Sequence, residues 1–166
     1  MGQSFLYRMP AGIPGDINRV QAAVVTPEVI TAAGQSNAPL AYGLASFIDA
    51  TSGKVRTVAA GDTFTHGFLA RPFPTNSSQD GIGTSTPPAS GGCDLMRRGF
   101  MTVMLGGSTA SVNGGKVYVW IAASSGAHVQ GQVEAADPSG NGFAITGAYF
   151  TGGADASGNV EIAFIP

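Results

Sequence analysis

The sequence predicts an all-β protein, a single β-barrel or jelly-roll-like domain preceded by an extended N-terminal arm. Three observations carry this expectation. Glycine (25) and proline (10) recur too often along the 166 residues for long helices. Between them lie short runs rich in β-branched and aromatic residues, bounded by turn formers. Several of those runs alternate in polarity with a period of two, which sends successive side chains to opposite faces of a sheet. A compact domain of this length buries roughly 70% of its unfolded surface, so it needs no metal or disulfide staple.

Taken from the N-terminus, residues 1–27 contain Pro10, Gly12, Pro14, Gly15 and Pro27 and read as the arm. Its apolar residues Phe5, Leu6, Tyr7, Met9, Ile13 and Ile17 are too many for a free tail, which is normally polar, so the arm is expected to pack on its own domain or on a partner. The one stretch with helical character, Ile17 to Val25, stops at Thr26-Pro27, because proline disfavours helical geometry in the residue before it. Residues 28–166 read as the barrel or sandwich domain. Strands are expected over Ala41–Ile48, which ends at Asp49-Ala50-Thr51-Ser52-Gly53, then over Lys54–Val58, Phe64–Ala70 and Gly99–Leu105.

A long loop is expected from Pro72 to Asp94, dominated by Pro, Gly, Ser and Thr with a Pro87-Pro88 pair. Loops longer than ~12–15 residues tend to be functional or disordered. A flexible loop and a contact loop against neighbouring subunits are both open readings. Beyond it, Asn113-Gly114-Gly115 is a turn signal ahead of Val117-Tyr118-Val119-Trp120-Ile121. Both faces of that strand are apolar, which suggests burial between layers or against a neighbour. The last two strands are Phe143–Phe150 and Asn159–Phe164, joined through Asp155-Ala156-Ser157-Gly158. In the final one Val160, Ile162 and Phe164 share a face, and Glu161 is expected to turn to solvent.

Composition narrows the function. Only 11% of residues are charged, the net charge is −2, and hydrophobic residues make up 43%. A neutral exterior is uncommon for a free monomer, whose solubility rests on interspersed charge, and is less surprising where surface lies against other subunits. The one adjacent basic pair, Arg97-Arg98, is too little for a nucleic-acid footprint. The N-terminus lacks the apolar core of a signal peptide, and no run approaches the ~20 apolar residues that span a bilayer. Neither nucleic acid nor membrane is therefore expected as a partner. The single cysteine, Cys93, excludes an internal disulfide and fits synthesis in a reducing cytoplasm.

A search for chemistry finds no catalytic set. His66 and His128 have no further ligand at metal-binding spacing; His66 reads as a partly packed strand residue and His128 as a turn or strand-edge residue. No Gly-x-Ser-x-Gly elbow is present. Asp49, Asp137 and Asp155 precede glycines and read as turn-makers rather than calcium ligands. Gly81-Ile82-Gly83 and Gly91-Gly92 lead into neither a lysine nor a helix, so no phosphate cradle forms. The expectation is a non-enzyme with no cofactor and no metal. Arginine outnumbers lysine six to two, and arginine is the cation that interfaces favour. The candidates for an interface with other subunits are Phe5, Tyr7, Arg8, Ile13 and Arg19 on the arm, with Arg71, Phe73, Arg97 and Arg98 at or flanking the loop.

Specific segments carry a resemblance. Met9-Pro10-Ala11-Gly12-Ile13-Pro14-Gly15-Asp16-Ile17-Asn18-Arg19 resembles the N-terminal arm of a family of tailed-phage structural cement proteins. Gly67-Phe68-Leu69-Ala70-Arg71-Pro72-Phe73-Pro74-Thr75 and Asp94-Leu95-Met96-Arg97-Arg98-Gly99-Phe100 are similar to that family too. So are Gly115–Val119, Ala148–Gly152 and Gly158–Phe164, in the same order along nearly the whole chain. The resemblance implies a decoration protein on the outer surface of the major capsid protein shell, made in the bacterial host cytoplasm. It implies stabilisation of the expanded, DNA-filled head, self-association as a dimer or trimer, and no active site. A second reading is a glycan-binding β module displayed on a virion or cell surface, with Tyr118, Trp120 and Tyr149 as a stacking platform.

Overall fold

The computed structural model describes residues 12–72 and 86–166. It is all-β, and the described residues form one turn of 3-10 helix at Val20–Ala22 and nine strands. These are β1 (Val24–Ile30), β2 (Ala45–Ile48), β3 (Val55–Thr57), β4 (Gly67–Ala70), β5 (Gly91–Gly106), β6 (Lys116–Trp120), β7 (Val133–Glu134), β8 (Gly142–Phe150) and β9 (Asn159–Phe164).

The 16-residue β5 organises the molecule. Its second half runs antiparallel to β9, from Gly99 opposite Phe164 to Met104 opposite Asn159, and parallel to β7 at Leu105 and Val133. β7, β6, β8 and β9 then close a five-stranded barrel back onto β5. The first half of β5 pairs antiparallel with β1 and β4. A second circuit follows through β4, β2, β3 and β1, its last link a single parallel pair, Ile30 with Val55.

Two circuits give two apolar cores, and the period of two decides which residue enters which. On β4, Phe68 enters the larger core and Leu69 the smaller; on β5, Met96 and Leu95 divide the same way. β4 is therefore buried on both faces. Phe68 meets Phe164 of β9 edge-on at 5.4 Å, and burying one such side chain contributes roughly 1.5–3 kcal/mol. Gly99 lies between the two halves of β5 with φ +137°, where an added Cβ would stand 2.9 Å from the Cα of Ala23. Only glycine fits there without strain.

Most expected strands are present, with shifted bounds. The expected helix over Ile17–Val25 is not: Ile17 makes a bridge to Met101, one 3-10 turn follows, and β1 begins at Val24. β1 crosses Pro27, which lies opposite Asp94. A proline survives in a strand whose outer edge lacks a partner, and before Ile30 no described strand lies on that side of β1. β5 starts at Gly91, so the last residues of the expected loop are strand. In β9, Val160, Ile162 and Phe164 are buried as the alternation predicts. Glu161 does not turn to solvent: its side chain is 15% exposed and paired. The segment before β1 lies over that outer face of β9 and supplies the partners.

Candidate interaction surface

Residues 13–19 are laid along β5. A turn closes where the Asp16 N–H donates to the Ile13 carbonyl, at 3.0 Å. Gly15 N–H then donates to Thr102 O, Thr102 N–H to Asp16 O, and Asn18 N–H to Phe100 O, at 2.8–3.0 Å. Asn18 Nδ2 donates to Glu161 Oε2 at 2.9 Å and Arg19 Nη2 to Glu161 Oε1 at 2.8 Å. Thr151 Oγ1 donates to the same Oε1 at 2.8 Å. A carboxylate taken out of water needs its lone pairs filled, and three side chains do that here.

Of the residues expected at an interface, Phe5, Tyr7, Arg8 and Phe73 lie outside the described residues. Ile13 is half-buried at the turn. Arg19 also lies over the Phe100 ring, 4.0 Å from its centroid. Arg71 donates to Pro14 O at 3.3 Å, faces Asp16 at 3.7 Å and stacks on Tyr42. Arg97 binds Glu28 at 2.7 Å, Thr26 Oγ1 at 2.9 Å and His66 O at 3.3 Å. These three guanidinium groups tie the arm, β1 and β4 to the body of the fold. Arg98, opposite Val24 across the β1–β5 ladder, is exposed.

Exposed apolar side chains collect in two places. Val24, Val25 and Val29 are exposed on β1, Val24 opposite Arg98, and Val20 (75% exposed) stands on the 3-10 turn just before it. Leu40 (74% exposed), Met104 and Val129 stand around a groove of about 290 Å³, which Pro14, Tyr42 and Gln132 also line. Neither group follows from alternation, because loop residues supply most of one, and Val20, Val24 and Val25 of the other fall in the stretch expected to be helical, Ile17 to Val25.

Sequence reading missed a third feature. Glu134, buried on the two-residue β7, receives His128 Nδ1 on Oε1 at 2.5 Å. The imidazole lies stacked on Trp120, centroids 4.2 Å apart. All three line a cleft of about 230 Å³ with Gly106, Gly107 and Asp137. The pair clamps the Ser125–His128 turn, closed by reciprocal backbone bonds, onto the barrel. His128 is thus a turn residue, as expected, with a buried carboxylate as partner. No local signal marks Glu134, which lies six positions beyond His128. Among the described residues no group of three or more His, Cys, Asp or Glu side chains is placed to hold a metal. His66 is half-buried ahead of β4; its Nδ1 accepts the Ile48 N–H at 3.1 Å and its ring packs edge-on against Phe47.

A search of curated proteins gives no match. Among solved structures, a chain described under "The capsid of Myoviridae Phage XM1" superposes with a TM-score of 0.71 at 18% identity, over 99% of both chains. At that identity the likeness speaks for the fold. The profile of the XM1 gp53 minor capsid protein matches residues 2–164. With nearly its whole length matched, the chain belongs to the XM1 gp53 minor capsid protein family and is a structural protein of the phage capsid.

Proposed function

We propose that this capsid protein is a cement, or decoration, protein. It binds the outer surface of the major capsid protein shell and stabilises the expanded, DNA-filled head, self-associating as a dimer or trimer and catalysing nothing. It is made in the host cytoplasm and joins the head from outside. The observation that carries this reading is the set of exposed valines on β1, Val25 and Val29 on one face and Val24 on the other opposite Arg98, with Val20 exposed on the turn before it. Exposed apolar side chains gathered on one edge strand disfavour a solitary soluble domain, whereas an interface needs apolar contact with an arginine at its margin. The closed circuits behind it supply a rigid backing, and repetition over many copies multiplies a modest contact. In this reading residues 1–27 act as the contacting arm and residues 28–166 as the rigid domain, with the 72–94 region as a second contact.

The test is to mix the purified chain with undecorated expanded heads and to measure co-sedimentation and the temperature of head disruption. Saturable binding that raises that temperature is expected. The Val24→Asp/Val29→Asp variant, folded by circular dichroism, is expected to lose binding by at least about tenfold, since a carboxylate must be desolvated in the contact. Absence of binding by the folded chain overturns the reading. Glycan binding lost in Tyr149→Ala would then put the carbohydrate module in its place.

A further inference from the structure

We propose that the apolar groove beside Pro14 receives the N-terminal segment of a second copy of this chain, with Phe5, Leu6 and Tyr7 as the side chains that fill it. The proposal rests on the cement reading, in which copies lie side by side on one shell.

Four observations converge. First, the groove has the right chemistry. Leu40, Met104 and Val129 are 74%, 48% and 36% exposed and stand at one opening of about 290 Å³. Among the described residues its one cation, Arg71, faces Asp16 and the Tyr42 ring. An uncharged apolar occupant therefore suits it. Second, eleven residues precede Gly12, the first described residue, and they hold Phe5, Leu6, Tyr7 and Met9 with Arg8 as the only charged side chain. Extended, they reach at most about 40 Å, ample to cross to an adjacent copy. Third, the direction of the chain favours an adjacent copy over the chain's own groove. The Ile13–Asp16 turn puts Pro14 at its tip in the groove wall. Gly12 lies at the base of that turn, where its Cβ position is 2.9 Å from Thr102 Oγ1 and 3.6 Å from Asn18 Oδ1. The described chain thus begins at the base of the turn, away from the tip that stands in the groove wall. Fourth, the competing occupant is poorer. Arg71 and Thr86 line the groove, and the sequence between them, 73–85, carries only Phe73 and Ile82 as bulky apolar residues.

Each exchanged arm would add one small contact, and a closed ring or lattice of them would hold copies together beyond the strength of any single one.

The experiment uses full-length chains. One carries Phe5→Cys; a second, distinguishable by a size tag, carries Leu40→Cys. After mild oxidation of concentrated mixed protein, a disulfide joining the two sizes is expected, with far less when Val112→Cys replaces Leu40→Cys. Met104→Asp in the second chain is expected to cut the yield by at least about tenfold, because a buried carboxylate there is costly. A single chain bearing both Phe5→Cys and Leu40→Cys that cross-links only within itself overturns the exchange. So does absence of any cross-link to Leu40→Cys in the folded mixture, or a cross-link formed by Phe73→Cys in place of Phe5→Cys. Head binding is scored separately on the same chains, so failure to bind heads counts against the cement reading and leaves the solution cross-link to decide this one.

Discussion

Arg19 and Glu161 meet across 142 positions of sequence, Nη2 to Oε1 at 2.8 Å, and their contact seats the arm on the barrel. The pair is asymmetric: the Arg19 side chain is 55% exposed and that of Glu161 15%. Removing the exposed partner should cost little, about 0.2–1 kcal/mol. Glu161→Ala should cost more, about 1–3 kcal/mol, because Asn18 Nδ2 and Thr151 Oγ1 lose their acceptor as well. Thermal unfolding of Arg19→Ala and Glu161→Ala tests the ranking, and equal small losses would contradict it.

Gly99 is expected to tolerate no side chain. Its φ of +137° and the 2.9 Å approach to Ala23 make Gly99→Ala both strained and crowded. A loss of about 1–3 kcal/mol from backbone strain is expected, with more from the clash. Chemical denaturation would show it as a lower midpoint at unchanged slope.

Phe68 joins two strands that belong to different circuits, packing from β4 onto Phe164 of β9. Phe68→Ala should destabilise by about 3–5 kcal/mol. Leu40→Ala, at a side chain 74% exposed, should change stability by no more than about 0.5 kcal/mol. The contrast separates core from contact surface in one pair of melting curves.

His66 gives a pH dependence of definite sign. Burial lowers its pKa below the ordinary 6.5, and the nearby Arg97 adds to the effect, while Asp62 and Glu28 oppose it. Nδ1 accepts the Ile48 N–H and so must stay unprotonated. The unfolded chain therefore binds the proton more readily than the folded one. This contribution to stability is complete above pH 6.5 and is lost as pH falls from there to the folded-state value. Melting temperatures across that range should fall with pH in the native chain and less in His66→Asn. An NMR titration placing His66 above 6.5 would contradict the sign.

Cys93 should be a poor nucleophile. Burial, with Asp94 and Glu28 nearby, pushes its thiol up to about 11. At pH 8 only about one thiol in a thousand would then be thiolate, and thiolate is the reactive form. Alkylation at pH 8 is expected to be slow in the native chain and fast after denaturation; equal rates would count against it.

The all-β class, most strands and the turns were legible in the sequence. Asp49, Asp137 and Asp155 each accept backbone N–H groups two to four residues on, as their spacing before glycine suggests. The inward face of β9 likewise followed from alternation. These are local properties, set by side-chain period and by turn chemistry. β1 was hidden because Pro27 reads as a break, and β7 because two residues carry no period. Tertiary structure alone decided that β5 serves two circuits and that Arg19, Arg71 and Arg97 bind within the chain. It alone brought Glu134 to His128 and Glu161 to the arm. A local pattern fixes which way a side chain faces; what it meets depends on strand pairings that join residues far apart in the chain, and no local pattern specifies those.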